Sequence, residues 1–281
     1  MARLQDFQTV TPTSSDKLLV VQSQGQGLVP YGSKLDSANP TGTGTLSLNR
    51  TGSVGQNSVA VNTNCTASGA HSHAEGYQTT ASGNYSHAEG STTTASQSGA
   101  HAEGAITTAS GNYSHSEGNQ TQAKGQSSHA EGGYTIASRR SQHVFGELNI
   151  EETGTSTTRG TYVEIVGNGT NDSNRSNART LDWSGNETIA GTLTQSSDAK
   201  LKDIITEKLP DVSAIKAVKF KWKENANRDE AEHIGYIAQD VEKVLPYLVK
   251  EDAEGNKVLD YIAFLVAKVD SLEKRLAELE K

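Results

Sequence analysis

The sequence has few of the residues that build a large hydrophobic core. Only 33% of its 281 residues are apolar and 5% are aromatic, whereas soluble domains average about 45–50% apolar. One large conventional core is therefore not expected. Either much of the chain is disordered, or it folds as repeats that bury small side chains and share their burial with partner chains.

Cysteine, positive charge and long apolar runs are also scarce. The single cysteine, Cys65, excludes an internal disulfide framework and a multi-cysteine zinc site. The net charge of -8 argues against general nucleic-acid binding and against a basic membrane-surface protein. The first ten residues lack the apolar core of a signal peptide, and no run approaches the ~18 apolar residues of a membrane-spanning helix. Membrane insertion is not expected.

The middle of the chain is a 14-residue repeat. Most copies carry the motif Ser-His-Ala-Glu-Gly or a close variant, and the frame extends from Ser58–Asn62 to Gln142–Gly146. Six of the eight histidines therefore fall in one phase, each 14 residues from the next: His73, His87, His101, His115, His129 and His143. Such a period is too short for a helical-hairpin repeat. Two short strands joined by two tight turns fit it well.

Alternation along a strand assigns the repeat residues to two faces. Histidine and glutamate share one face, and serine, alanine and glycine share the other. A narrow two-layer coil has room inside only for small side chains, so we expect Ser, Ala and Gly inside and His and Glu outside or between chains. One coil buries little apolar area, which favours several chains packed together. A trimer is the natural closed arrangement.

The stacked histidines and glutamates admit two interpretations. Imidazole and carboxylate groups two residues apart could bind a metal ion between neighbouring coils. A polar ladder that hydrogen-bonds along the coils is favoured, because functional sites do not usually recur identically. The sequence therefore assigns no metal site and no cofactor.

The flanking segments differ in character from the repeats. Residues 147–196 read as a β-rich connector, with strand-like runs at Thr161–Val166 and Glu187–Thr194. From Ser197 onward the chain holds 33 of its 58 charged residues. There, His233–Pro246 predicts a short strand and an amphipathic helix ended by proline, and Asn256–Tyr261 predicts another strand.

The last twenty residues predict a coiled coil over residues 262–281. Aliphatic residues follow alternating spacings of three and four, with charged residues elsewhere. The seam consists of Ile262, Leu265, Val269, Leu272, Leu276 and Leu279. Aliphatic side chains at every seam position are compatible with a trimer.

A candidate site lies where the connector meets the charged region. Ser197 could act as a nucleophile, since Lys202 is five residues away and a turn could bring its amine close enough to remove the hydroxyl proton. Considered alone, Ser197 and Asp198 followed by lysines read better as a helix N-cap. His233 has no evident partner in the sequence, so a Ser-His-Asp triad is not expected.

Several motifs in order strengthen the first interpretation. SDAKLK, IKAVKFKW, HIGYIAQDVEKVLP, LDY and the terminal heptads resemble the peptidase S74 intramolecular chaperone domain that ends phage tail spikes and fibres. The resemblance implies a domain that trimerises, templates folding of the β-rich region before it, and cuts itself off. It places the family's dyad on Ser197 and Lys202, with Lys200 at the basic position between them.

The bond that breaks has two candidates. Attack by Ser197 on the carbonyl of Ser196 would be an N→O acyl shift. The resemblance instead implies separation between Ser197 and Asp198.

The middle repeats carry a second resemblance, to the left-handed parallel β-roll of YadA-like trimeric adhesin heads, for which SVAVN at Ser58–Asn62 is the nearest copy.

Together these features predict a mainly β fold with an α+β C-terminal domain. The expected order is an attachment region (1–50), a homotrimeric β-roll (51–146), the connector (147–196) and the chaperone domain (197–281). The expected protein is a phage or prophage tail fibre, made in the host cytoplasm and located in the virion. Its N-terminus would bind a tail or baseplate protein, and a host-surface receptor is a candidate partner. Its enzymatic activity would be self-cleavage only.

Two other functions remain open. A bacterial trimeric surface adhesin would explain the repeats, but no signal peptide or membrane anchor is evident in the sequence. A glycan-degrading tail spike would explain the chaperone. Against it, the chain has no substantial catalytic domain, and its repeat carboxylates are uniform rather than paired in one cleft.

Overall fold

A computed structural model describes residues 17–21, 26–30, 46–48, 55–62, 64–206, 208–226 and 228–281. The chain divides into two compact units, Met1–Thr192 and Leu193–Lys281. Near the start, β1 (Lys17–Val21) and β2 (Gln26–Pro30) form an antiparallel pair. The attachment role expected for residues 1–50 otherwise falls on residues outside the described ranges.

The repeats fold into a β-solenoid, which confirms the predicted mainly β class and its 14-residue coil. Neighbouring strands are parallel and each pairs with the strand one repeat away, so that His87 lies opposite His73 and His101. One face is formed by β3 (Leu46–Leu48), β4 (Val59–Val61), β5 (His73–Tyr77), β7 (His87–Ser91), β9 (His101–Ala102), β11 (His115–Ser116), β13 (His129–Ala130) and β15 (His143–Glu147). The other face is formed by β6 (Thr80–Ala81), β8 (Thr94–Ala95), β10 (Thr108–Ala109), β12 (Gln122–Ala123) and β14 (Ile136–Ala137).

Columns of small side chains fill the solenoid interior. Serine and alanine of the repeat motif are buried as predicted, whereas His and Glu are only partly buried. A column of threonines from the second face is also fully buried, which was not predicted from the sequence. Its members are Thr79, Thr93, Thr107, Thr121 and Thr135. Small side chains therefore fill most of the interior, and the larger Val144 and Ile165 are buried where the last coil meets the connector.

The glycines of the repeat motif are not inside, contrary to expectation. Gly90 and Gly104 are exposed and have φ near 100°. A Cβ atom on Gly90 would overlap the carbonyl oxygen of Gly104 in the next coil. Glycine is needed at this position because the backbones of successive coils approach each other closely and take a conformation that L-residues rarely adopt.

The coils turn at residues with positive φ that recur every seven residues. Within this series φ lies between 48° and 63°. The positions are Asn57, Asn64, His71, Gln78, Tyr85, Thr92, Gly99, Ile106, Tyr113, Gln120, Ser127, Tyr134, Ser141 and Leu148. Each 14-residue coil is thus two half-coils, each ending in a left-handed corner.

The connector continues the first sheet. β16 (Tyr162–Asn168) pairs in parallel with β15, and β17 (Asn177–Asp182) and β18 (Glu187–Ile189) then follow antiparallel. Both strand-like runs predicted for this segment therefore form strands, although the second one stops at Ile189. The connector is an extension of the solenoid sheet within the same unit.

The second sheet ends on a side chain instead of another strand. Asn149 is fully buried, and its amide accepts a hydrogen bond from Ile136 N at 2.7 Å and donates one to Ile136 O at 3.1 Å. Gln142, also buried, accepts from Ser138 N at 3.1 Å. These amides bond to the edge of β14, where a further strand would otherwise pair.

The C-terminal unit mixes short strands with helix. Its strands are β19 (Val218–Phe220), β20 (His233–Gly235), β21 (Val249–Glu251) and β22 (Lys257–Leu259). Its helices are α1 (Ala238–Glu242) and α2 (Tyr261–Leu279), with 3-10 turns at Ala199–Leu201, Glu224–Ala226 and Pro246–Leu248. The helix predicted before Pro246 is shorter than expected, and Pro246 begins a 3-10 turn. No helix within the described ranges is long and apolar enough to cross a bilayer.

Relieving the strain at one corner is expected to stabilise the solenoid. Ile106 has a φ of 58°, and its side chain is 53% exposed. The left-handed conformation costs an L-residue roughly 1–2 kcal/mol, and asparagine adopts it more readily than a β-branched residue. We expect Ile106→Asn to raise the free energy of unfolding by about 1 kcal/mol, measured by urea denaturation.

Ile136→Asn is the matched control. Ile136 is 7% exposed and lies in β14, so its replacement buries a polar amide and should destabilise the solenoid. Destabilisation by Ile106→Asn would contradict the assignment of strain to the corner.

Candidate functional site

One tight turn brings the predicted nucleophile and base together. Asp198 caps the 3-10 turn Ala199–Leu201, accepting a hydrogen bond from Lys200 N at 2.9 Å. The turn reverses the chain so that Lys202 Nζ donates to Ser197 Oγ over 2.6 Å. The cap and the dyad, which were alternatives for this heptapeptide, are therefore present in the same turn. Lys200 contributes its backbone N–H to the cap.

The dyad lies on an exposed segment. Ser197, Asp198, Lys200 and Lys202 are all exposed in the single chain. The segment around them also exposes large aliphatic side chains, namely Leu193, Leu201, Ile204 and Ile205. Ile205 is 96% exposed. A cluster of exposed aliphatic residues is typical of a surface that another chain covers.

Helix α2 has two apolar faces. The first is buried in the unit's own core and presents Phe264, Ala267 and Ser271. It packs against Val212, Ile215, Val241 and Leu245. This face was not predicted from the sequence, although its spacing of three and four residues is typical of a helix.

The second face of α2 is the predicted heptad seam, and it has no cover in the single chain. All six seam residues are exposed, from 48% at Ile262 and Leu265 to 84% at Leu279. Val266, next to the seam, is 60% exposed. Because only the first face of α2 packs within the unit, the seam stays exposed to solvent in the single chain.

Lys268 fixes the loop before β19 to α2. Its Nζ donates to Val212 O at 2.6 Å and to Ile215 O at 2.5 Å, and it lies 5.7 Å from the centre of the Tyr236 ring. Burial, aided by the charge of Lys216, lowers the pKa of Lys268. In the same loop Val212 N donates to Ser271 Oγ at 3.1 Å. These contacts hold the loop of residues 212–215 against the helix that carries the seam.

Charged groups also brace the hairpin of β21 and β22. The backbone N–H of Asn256 donates to Asp252 and lowers the pKa of that carboxyl group. Glu242 and Glu251 each lie 2.8 Å from Lys257 Nζ and raise its pKa to about 12. These contacts tie the hairpin to α1.

His233 has a partner that the sequence analysis did not find. Its Nε2 lies 2.7 Å from Asp229 Oδ1, and its ring stacks on Phe220 with centroids 5.6 Å apart. Ser197 Oγ accepts its hydrogen bond from Lys202 Nζ. The structure therefore places Ser197 in a Ser–Lys pair and gives His233 a separate carboxylate.

Comparison with known protein families identifies part of this unit. Residues 197–250 match the Peptidase_S74 family, described as the chaperone of endosialidase. The match begins at Ser197 and includes Lys202, α1 and most of β21. No curated protein matches the chain.

The buried face of α2 is expected to dominate the stability of the C-terminal unit. Phe264 is fully buried, so Phe264→Ala should leave a cavity and destabilise the unit by about 3–5 kcal/mol. Hydrogen exchange of peptides from residues 209–250 should then accelerate.

Val258→Ala is the control for that substitution, since Val258 is 45% exposed and should change exchange little. Equal effects of the two substitutions would show that Phe264 does not hold the unit together.

Proposed function

We propose that this chain is a trimeric tail-fibre-like appendage protein of a phage or prophage. Residues 51–196 form its mature shaft, and residues 197–281 are an assembly chaperone that is removed by self-cleavage at Ser197. The observation that carries the proposal is the uncovered aliphatic seam of α2, in the same unit as the Ser197–Lys202 pair and the family match.

The seam supports assembly of several copies of the chain. Its residues lie on a different face of α2 from Phe264. The face that carries Phe264 is already packed within the unit. Leaving six large aliphatic side chains in water is unfavourable, and an identical seam on a second and third chain covers them by knobs-into-holes packing.

The solenoid gives a reason for joining the chains at one end through this seam, which then acts as a clamp. Its strands pair with identical motifs one repeat away, so the sequence alone specifies the register between chains weakly. Chains joined at one end have a high effective concentration and a shared starting register. Removing the clamp after closure makes disassembly slow, because the folded shaft has lost the element that would guide its reassembly.

The Ser–Lys pair supports the cut. Lys202 Nζ accepts the hydroxyl proton while Ser197 Oγ attacks a backbone carbonyl. The proton then passes to the departing amide nitrogen, and water hydrolyses the ester left on Ser197 Oγ. Only a neutral amine can accept that proton, and burial disfavours the charged form. Ser197 and Lys202 are exposed to water in one chain. A neighbouring chain that covered them would exclude this water, so cleavage would follow assembly.

The remaining partners follow from this role. Residues 1–50 would bind a tail or baseplate protein of the virion, and the shaft would present its surface to the host cell. The proposed cut separates Ser197 from Asp198, with the bond between Ser196 and Ser197 as the alternative.

Self-cleavage is tested on freshly purified full-length protein. We expect a fragment ending at Ser197 by intact mass, and loss of that fragment in Ser197→Ala and Lys202→Ala, because each removes one member of the 2.6 Å pair. A fragment shorter by one serine would identify the alternative bond. Ser196→Ala, which keeps the pair, should still be cut.

Assembly is measured separately by sedimentation. Ser197→Ala should sediment as an uncut trimer, whereas a charged residue in the seam, Leu272→Asp, should give single chains that are not cut. A wild-type chain that is a well-folded monomer would overturn the proposal. An uncut wild-type trimer would remove the cleavage and leave the assembly role.

A further inference from the structure

The repeat histidines form one continuous imidazole column: His73, His87, His101, His115, His129 and His143. Adjacent rings stack with centroids 4.6–5.0 Å apart and planes within 15° of parallel. A carboxylate column, made of Glu75, Glu89, Glu103, Glu117 and Glu131, runs beside it on the same face of the solenoid. Imidazole and carboxylate groups thus lie side by side along the outside of the coils.

The two columns are separated by a distance suited to a shared cation. His115 Nε2 lies 3.1 Å from Glu103 Oε1, and His129 Nε2 lies 3.0 Å from Glu117 Oε1. Zinc binds nitrogen and oxygen at about 2.0–2.2 Å, so two adjacent ligands of one ion lie roughly 3–3.5 Å apart. The columns therefore hold nitrogen and oxygen atoms at the spacing of a chelate.

Hydrogen bonding between the columns is incomplete. It is present at His115 and His129, as the ladder interpretation expects. Within the described part of the chain, the Nε2 atoms of His87 and His101 are buried and make no hydrogen bond, although His101 Nε2 lies 3.5 Å from Glu89 Oε1. These nitrogens are available as ligands.

The carboxylate column also lacks cationic partners. Across the described residues, the ion pairs made by its glutamates are with histidines, and none is with lysine or arginine. Successive coils place these carboxylates about 4.8 Å apart, the spacing of neighbouring strands. The carboxylate column is therefore a row of like charges that a divalent cation would neutralise.

We propose that this surface binds zinc-like divalent cations. Each ion would take two histidines from neighbouring coils and the glutamate between them in sequence. Four groups of this kind have ligand atoms within 4.8 Å of one another: His73–Glu75–His87, His87–Glu89–His101, His101–Glu103–His115 and His115–Glu117–His129. Imidazole with carboxylate suits zinc, nickel or copper better than calcium or magnesium.

Binding requires a small rotation of the rings. The lone pairs of parallel imidazoles do not converge on one point, so one ring of each pair must turn about its Cβ–Cγ bond. The side chains of His101 and His115 are about a third exposed, which gives them room to turn and gives the ion access from solvent. Water completes the coordination, as in other three-ligand zinc sites.

Sharing of histidines fixes the number of ions. Neighbouring groups have His87, His101 or His115 in common, and one ring nitrogen cannot serve two ions at once. At most two of the four groups can therefore be filled together. The expected stoichiometry is two ions per chain.

The same sharing predicts distinct outcomes for single substitutions. His101→Gln removes the two middle groups but leaves the first and last, so two ions should remain. His87→Gln removes the first two groups, and the two that are left share His115, so one ion should remain. The double variant His87→Gln/His115→Gln removes all four groups and should bind none.

The experiment is equilibrium dialysis of the tag-free full chain against Zn²⁺ at neutral pH, followed by elemental analysis. Bound Zn²⁺ should also raise the melting temperature of the wild type but not of the double variant. His71→Gln, outside the column, is the control and should still bind two ions. Circular dichroism checks that each variant folds.

Absence of Zn²⁺ binding by the wild type, or binding unaltered in the double variant, would overturn the proposal. Loss of the same number of ions in His87→Gln and His101→Gln would also overturn it, since the shared-ligand arrangement requires them to differ. Those two single variants decide the matter even where the double variant fails to fold.

Discussion

The structure depends on how closely successive coils approach one another. Parallel strands about 4.8 Å apart carry identical motifs in register, so every position of the repeat becomes a column along the solenoid. Inside, the columns are alanine, serine and threonine because little space separates the two sheets. At the exposed glycines the same approach leaves no room for a Cβ atom. Outside, it stacks histidine on histidine and glutamate near glutamate.

The sequence predicts the solenoid well where side-chain size and polarity determine position. Period, strands and the burial of serine and alanine follow from the repeat motif. The seven-residue corners could not be predicted, because Tyr85, Thr92 and Ile106 share no property that favours positive φ. Stacking of the coils imposes that conformation on them. The glycines were misplaced because small size was taken to mean burial, whereas backbone contact between coils requires them.

In the C-terminal unit, local patterns were predictable and long-range contacts were not. The five-residue spacing of Ser197 and Lys202 pointed to their contact, and the heptad spacing pointed to the seam. The buried face of α2 could not be assigned a partner from the sequence, because Ser271 contacts Val212, which lies 59 positions away in the chain. The pairing of His233 with Asp229 is local, at a spacing of four, and could have been considered.

The amide of Asn149 has a consequence for the evolution of this architecture. It ends one sheet with side-chain hydrogen bonds to Ile136 in the last coil. These hydrogen bonds do not depend on how many coils precede that one. Whole 14-residue units could therefore be duplicated or deleted upstream without changing this end of the sheet. Recombination between near-identical repeats would lengthen or shorten the solenoid in increments of about 4.8 Å, while the C-terminal unit stays unchanged.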